Sequence, residues 1–347
     1  MRGITYFVMK TAFPSAARPL AITMGCPAGI GPEIICRLFG GLQNSPRPPG
    51  VVLGDRGTLQ RAAVLTGIKL PVVSWSPGQP AEAGTLPVYQ ADVPDLVDVR
   101  WGQPDLASGK AMAAYIEQAV RLVQTGVCSG LVTCPISKTG LQQAGYKFPG
   151  HTEMLAALTQ APRVKMMMAG PRLKVVLVTI HEPLAQVSGL LSPEAIGECI
   201  AMTGQSLRCD FGIAQPRIAV AGFNPHGGED SLFGDEEVCV IKPAVTRCQA
   251  DWDVSGPWPP DTVFFKAAAG QYDAVVAMYH DQGLIPFKLL HFHDGVNVTL
   301  GLPLVRTSVD HGTAYDIAGR GLADPSSLRA AMDMADSMIS HRARLES

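Results

Sequence analysis

The chain has 347 residues, of which 47% are hydrophobic and 17% charged, with a formal net charge of −2 at pH 7. This length divides into two domains rather than one, and the apolar content is enough for a sizeable core. Near-neutral charge with no run of Lys or Arg excludes the electrostatic footprint of a nucleic-acid or anionic-membrane binder.

Residues 1–18 contain a short apolar cluster at 6–9 that is too brief for a signal h-region or a membrane span, and they read as a frayed extension with Met9 an alternative start. Residues 19–24 (PLAITM) predict a strand that runs into the turn GCPAGIGPE, residues 25–33, and then a helix. The turn is neither GxGxxG nor a P-loop, so it either receives a phosphate or carboxylate or simply reverses the chain. Residues 51–55 form a second strand and 58–66 a helix, whereas 71–104 are rich in Pro and Gly and read as loops with short strands. Over residues 108–124, Met112, Tyr115, Ile116, Ala119, Val120 and Val123 recur at helical spacing and mark a core face. A strand at 131–133 ends in CPISK, and residues 146–153 (YKFPGHTE) place His151 and Thr152 on a loop where two hydrogen-bonding side chains can hold a substrate's polar end.

Three later strands each end in a histidine. Residues 174–180 (KVVLVTI) deliver His181; residues 217–222 (RIAVAG) deliver Asn224, Pro225 and His226 before Gly227-Gly228; residues 274–278 (AVVAM) deliver Tyr279, His280, Asp281 and Gln282. The last is an unbroken apolar run, as in a parallel strand buried on both faces, and Gly283 and Pro286 are expected to break the backbone after it. One such histidine is ordinarily a hydrogen-bonded core or rim residue. Three at the carboxyl edge of a sheet, one beside an aspartate, instead match the donor set of a first-row metal site with open positions. Asp261, in PPDTVF, enters a helix as an N-cap, as a partner of a histidine, or both. Lys288 and Arg306 are the cations assigned to an anionic substrate, the planar guanidinium suiting phosphate or carboxylate. Residues 295–301 predict another strand, and 325–341 an amphipathic closing helix with Leu328, Ala331, Met332, Ala335 and Ile339 inward. The eight cysteines (Cys26, Cys36, Cys128, Cys134, Cys199, Cys209, Cys239, Cys248) show no CxxC spacing and point to reduced thiols and a cytoplasmic protein.

Taken together, GCPAGIGPEI, FPGHTE, VTIHEPL, NPHGGE, PPDTVF, MYHDQGLIPFK, GVNVTLGLP and RTSVDHGTAYDIAG resemble the 4-hydroxythreonine-4-phosphate dehydrogenase family of pyridoxal-phosphate biosynthesis, in the same order from about residue 19 onward. The resemblance implies an α/β fold of the isocitrate/isopropylmalate-dehydrogenase type. Its two α/β/α domains are expected at residues 1–145 plus 300–347 and at 146–299, with the active-site cleft between them. It also implies a homodimer with shared active sites, NAD or NADP as cofactor, and one divalent ion (Zn, Mg, Co or Mn). By the same resemblance the metal ligands are His181, His226 and His280, completed across the dimer interface, and the substrate-binding residues are His151, Thr152, Lys288, Asn297 and Arg306. Lys288 is the first candidate for proton transfer or carboxylate binding, with Asp261 and Asp281 orienting ligands or completing the metal shell; no cofactor contacts are assigned. The implied reaction oxidises the C3 hydroxyl of 4-phosphohydroxy-L-threonine to a β-keto acid, which decarboxylates to 3-amino-2-oxopropyl phosphate. The motifs leave open the same chemistry on D-threonate or D-erythronate 4-phosphate or on an aromatic dihydrodiol acid, and a metal-free phosphate acyltransferase-like enzyme stands as a further alternative. Cys26 departs from the family, whose members commonly carry an acidic residue there.

Overall fold

Strands buried on both faces set the architecture of this computed structural model, which describes residues 18–42, 50–82, 84–93, 96–97 and 99–346. The extension expected at 1–18 lies, Arg18 apart, outside the described residues. β1 (Leu20–Thr23) is buried throughout and feeds the glycine-rich turn into α1 (Gly31–Gly41), with Pro32 at its start. Glycine is required there by close approach: a Cβ on Gly25, at φ +73°, would lie 2.4 Å from the Pro135 carbonyl oxygen, and one on Gly31 2.1 Å from that of Met24. β2 (Gly50–Gly54) leads to α2 (Arg56–Thr66), followed by β3 (Val72–Ser74) and β4 (Leu86–Gln90). α3 (Leu106–Gln124) buries Met112, Tyr115, Ile116, Ala119 and Val120, as their spacing predicts. It begins two residues before the expected start, because Asp105 and Ser108 form a reciprocal capping box. β5 (Leu131–Thr133), α4 (Lys138–Gln143) and α5 (His151–Thr159) follow.

Beyond them come β6 (Lys165–Ala169), β7 (Lys174–Leu177), α6 (Leu184–Leu190), α7 (Pro193–Cys209), β8 (Arg217–Ala221), α8 (Lys242–Cys248), β9 (Asp253–Trp258) and α9 (Pro260–Ala268). β10 (Ala274–Ala277), α10 (His280–Leu290), β11 (Val296–Leu300), β12 (Arg306–Val309) and α11 (Ser326–Glu346) complete the chain. Two units divide it, Met1–Arg163 with Leu302–Ala343, and Val164–Gly301 with Arg344–Ser347. The first break falls after Arg163 rather than at 145–146, because α5 packs against α3.

In the first unit six strands run β3-β4-β2-β1-β5-β12, all parallel. In the second the order is β11-β6-β7-β10-β8-β9, antiparallel at β11/β6 and β6/β7 and parallel from β7 onward. Val276 of β10 sits in register with Val176 of β7 and Val220 of β8, so the three histidine-bearing segments leave the same sheet edge side by side. α9 and α10 cover one face of this sheet through Val263, Phe264, Ala267, Leu284 and Phe287. Both units are therefore α/β. Among the described residues no helix is long and apolar enough to cross a membrane. None of the eight cysteines forms a disulfide, and burial pushes the thiols of Cys36, Cys128 and Cys199 up to about 12, which keeps them protonated and inert.

One expectation about the backbone is corrected. Gly283 and Pro286 do not end the polar segment after β10; both lie inside α10. Packing is the reason: a Cβ on Gly283 would lie 2.6 Å from Val175 Cγ1 and 2.9 Å from Leu177 Cδ2, so the missing side chain lets the helix rest on β7. Gly283→Ala is therefore expected to cost about 1–3 kcal/mol of stability by overpacking a β-branched neighbour, read as a lower urea midpoint at unchanged m. Unaltered stability would show that the helix has room to spare there.

Candidate active site

The histidine-bearing edge of the second unit is built by hydrogen bonds beyond the strand ladders. Gln282, buried at 8% exposure, accepts the Met278 N–H through Oε1 at 2.7 Å and donates through Nε2 to the Gly222 carbonyl at 2.7 Å, tying the end of β10 to the end of β8. Thr179 donates to the Met278 carbonyl through its hydroxyl at 2.8 Å and its N–H at 3.2 Å, tying in the segment after β7. These bonds bring two histidines together: the rings of His181 and His280 have centroids 5.8 Å apart. His280 is the first residue of α10, and its Nδ1 lies 2.7 Å from Asp281 Oδ1. A carboxylate on Nδ1 fixes the tautomer in which Nε2 is free to coordinate.

His226 is held differently. It sits in a 3₁₀ turn, Pro225–Gly228, at φ 56° and ψ 18°, a left-handed conformation that a residue with a Cβ adopts at a cost. Its ring stands 6.1 Å from that of Phe233. Among the described residues no group of three or more His, Cys, Asp or Glu side chains is placed to hold a metal ion, so one chain alone does not assemble the expected three-imidazole set. Asp261 lies exposed in the first turn of α9, whose N-cap is Pro259, which corrects the expected N-cap role. Lys288 follows His280 by two turns of α10, about 12 Å along the axis, and Asn297 is partly buried on β11 opposite Met168.

The first unit gathers a second set. Arg306 opens β12 at 2% exposure, and its Nη2 donates to Thr133 Oγ1 at 2.7 Å. Burial pulls its guanidinium down to about 9, with Glu153 opposing, so it remains a cation at neutral pH. His151 and Thr152 stand not on a loop but as the first two residues of α5, where unpaired main-chain N–H groups and the helix dipole favour an anion. Burial and then the charge of Arg306 hold the His151 imidazolium well below its usual range, and its Nε2 is enclosed with no partner among the described residues. A neutral imidazole, a buried guanidinium, a hydroxyl and a helix start together have the donor chemistry that suits an anion. At the glycine-rich turn, Glu33 accepts the Gly319 N–H and Arg37 donates to the Gly321 carbonyl, while the Tyr315 hydroxyl donates to Cys26 Sγ at 3.3 Å.

Gln282, Thr133 and the buried Glu237 went unread in the sequence as parts of a site. Their signal is faint: a polar side chain within a buried helix face, or an acid with no basic neighbour in sequence.

With this geometry described, comparison supplies the family. Residues 47–335 match the family described as pyridoxal phosphate biosynthetic protein PdxA. The chain is 54% identical over 324 residues to a 4-hydroxythreonine-4-phosphate dehydrogenase of Desulfosudis oleivorans, covering 92% of this chain and 95% of that one. A relative of the same description from Desulforapulum autotrophicum is 52% identical over 321 residues, covering 91% and 94%. Among solved structures, 4-hydroxythreonine-4-phosphate dehydrogenase from Klebsiella pneumoniae superposes with a TM-score of 0.84 at 40% identity, covering 93% of this chain and 99% of that one. The chain belongs to the PdxA family of pyridoxal phosphate biosynthetic proteins.

The buried imidazole sets a pH dependence. His151 is neutral in the folded protein but takes a proton in the unfolded chain below about 6.5, so stability is lost as pH falls through that value. Between pH 7.5 and 5 the loss from this group is expected to reach about 2 kcal/mol. His151→Gln should flatten urea-unfolding stability over that interval by a similar amount, and an identical pH slope in the variant would contradict the assignment.

Proposed function

We propose that the chain oxidises the C3 hydroxyl of 4-phosphohydroxy-L-threonine with NAD or NADP, giving a β-keto acid that loses CO₂ to leave 3-amino-2-oxopropyl phosphate on the route to pyridoxal 5'-phosphate. Family membership supports the reaction, and the paired imidazoles of His181 and His280, with Asp281 on Nδ1, are the observation that carries its mechanism. Two adjacent imidazoles fit a divalent ion such as zinc or cobalt better than magnesium or manganese, which prefer oxygen donors. His181, His226 and His280 would hold that ion, which would supply Lewis-acid chemistry at the C3 hydroxyl. A bound nicotinamide cofactor would supply the hydride acceptor for C3.

The chain's own groups then have distinct work. Asp281 keeps His280 in the coordinating tautomer, and Asp261 acts through the histidines' surroundings. Lys288 takes the hydroxyl proton or holds the substrate carboxylate, and Asn297 hydrogen-bonds the substrate. His151, Thr152 and Arg306 receive the phosphate, whose charge offsets the desolvation of the buried guanidinium. Once C3 is a ketone, the carboxylate one carbon away leaves as CO₂ because the electron pair it releases is delocalised onto the ketone oxygen.

A homodimer is part of this reading. α10 carries His280 at its start and then exposes Ile285 and Leu289, at 68% and 84%, and Phe292, at 70%, follows just past its end. Exposed apolar side chains of this kind suit a second subunit, which would complete the metal shell that one chain leaves unfinished. Eight cysteines without a disulfide support a reducing, cytoplasmic setting.

Steady-state kinetics with 4-hydroxythreonine against its 4-phosphate test the reading. Hydrogen bonds to charged groups contribute roughly 1.5–3 kcal/mol each, so removing the phosphate should lower kcat/KM at least about a hundredfold. Part of the loss should fall in kcat, since remote binding energy positions C3. Comparable kcat/KM values would show that the phosphate is not recognised and would favour an unphosphorylated substrate such as a dihydrodiol acid.

A further inference from the structure

We propose that Glu237 is a positioning residue that sets the location of His226. Its carboxylate is buried, at 2% exposure, in the short π-helical segment Glu237–Ile241. Oε1 accepts the main-chain N–H groups of both Phe223 and Asn224 at 2.7 Å, and Oε2 accepts Asn224 Nδ2 at 2.9 Å. On the far side of His226 the same oxygen limits the chain again, since a Cβ on Gly228 would lie 2.7 Å from Glu237 Oε2. One carboxylate therefore holds the turn just before the histidine by hydrogen bonds and lies close against Gly228 just after it. Glu236 braces this arrangement: its Oε2 accepts Asn224 Nδ2 at 2.8 Å, and its Oε1 accepts the Ser188 hydroxyl of α6 at 2.7 Å.

The backbone explains why such a hold is needed. His226, Glu229, Asp230 and Ser231 all have positive φ, at 56°, 41°, 52° and 73°, and Gly227 and Gly228 lie between them. A run of left-handed residues with side chains is not a conformation that the chain keeps unaided, and such conformations persist where surrounding contacts over-determine them. The buried acid has no Lys or Arg partner in this arrangement; its hydrogen bonds all go to the strand-end segment that delivers His226. Holding the backbone rather than the ring, it acts on metal affinity by pre-organising the ligand, as groups behind coordinating residues commonly do.

The proposal rests on the reading of His226 as a metal ligand, and the test separates the two. Full-length wild-type protein, stripped of metal, is titrated with Co²⁺ and bound ion is measured by equilibrium dialysis, with circular dichroism reporting the fold. Glu237→Gln keeps Oε1 for the two main-chain donors but sets an amide NH₂ against the NH₂ of Asn224. It is expected to weaken Co²⁺ binding by about 10- to 100-fold in folded protein. The triple variant Asn224→Asp, Glu236→Gln, Glu237→Gln restores each hydrogen bond with the donors reversed, and should bind within about threefold of wild type. Glu237→Gln binding as tightly as wild type overturns the proposal alone. If Glu237→Gln does not fold, the triple variant decides: folded protein that fails to bind Co²⁺ overturns it. A wild-type protein that takes up no Co²⁺ removes the metal reading and this proposal together.

Discussion

Parallel strands buried on both faces leave main-chain N–H and C=O groups at their ends that water does not reach, and the placement of the histidines depends on how those groups are satisfied. Gln282 does this for two strands with one amide, pairing the Met278 N–H and the Gly222 carbonyl. Each of those groups, left unpaired, would cost about 1–3 kcal/mol. The structural consequence reaches the chemistry directly. His280 follows Met278 by two residues and His226 follows Gly222 by four, so one side chain fixes the starting point of both segments, and Thr179 does the same for His181.

The first unit solves an opposite problem, that of keeping a cation away from water until an anion arrives. Arg306 donates to a hydroxyl through its Nη2, and His151 beside it is uncharged. Burial strengthens the field of such a guanidinium, and the carboxylate of Glu153 favours its charge. The N-terminus of α5 adds main-chain donors to the same anion. The anion-suited set and the histidine pair are thus tuned in different ways, one by desolvating a charge and the other by fixing a tautomer.

Much of this was legible in the sequence because burial on two faces writes itself as β-branched runs: KVVLVTI, RIAVAG and AVVAM each mark a strand whose end carries a histidine. Helical spacing likewise marked the core of α3. What failed did so for identifiable reasons. Gly283 and Pro286 resemble a loop, and helix propensity argues against them, yet both lie inside α10, where the missing side chain of Gly283 lets the helix rest on Val175 and Leu177. FPG before His151 resembles a continuing turn, although it ends at the start of α5. Gln282 and Glu237 resemble surface residues, as most Gln and Glu are, and only the coordinates reveal that they are buried. Substrate identity was not legible from periodicity or spacing, and the ordered family motifs left several hydroxy acids open; likeness to 4-hydroxythreonine-4-phosphate dehydrogenases narrowed them.

The central claim is that this chain couples removal of hydride from C3 to loss of CO₂ at a site that needs a divalent ion. Product balance in metal-stripped protein tests it most directly, using 4-phosphohydroxy-L-threonine labelled at its carboxyl carbon and following reduced nicotinamide and released CO₂ together. The account predicts negligible turnover without metal, recovery on adding Zn²⁺ or Co²⁺, and one CO₂ for each reduced nicotinamide formed. Full turnover by protein shown to contain no divalent ion would contradict it.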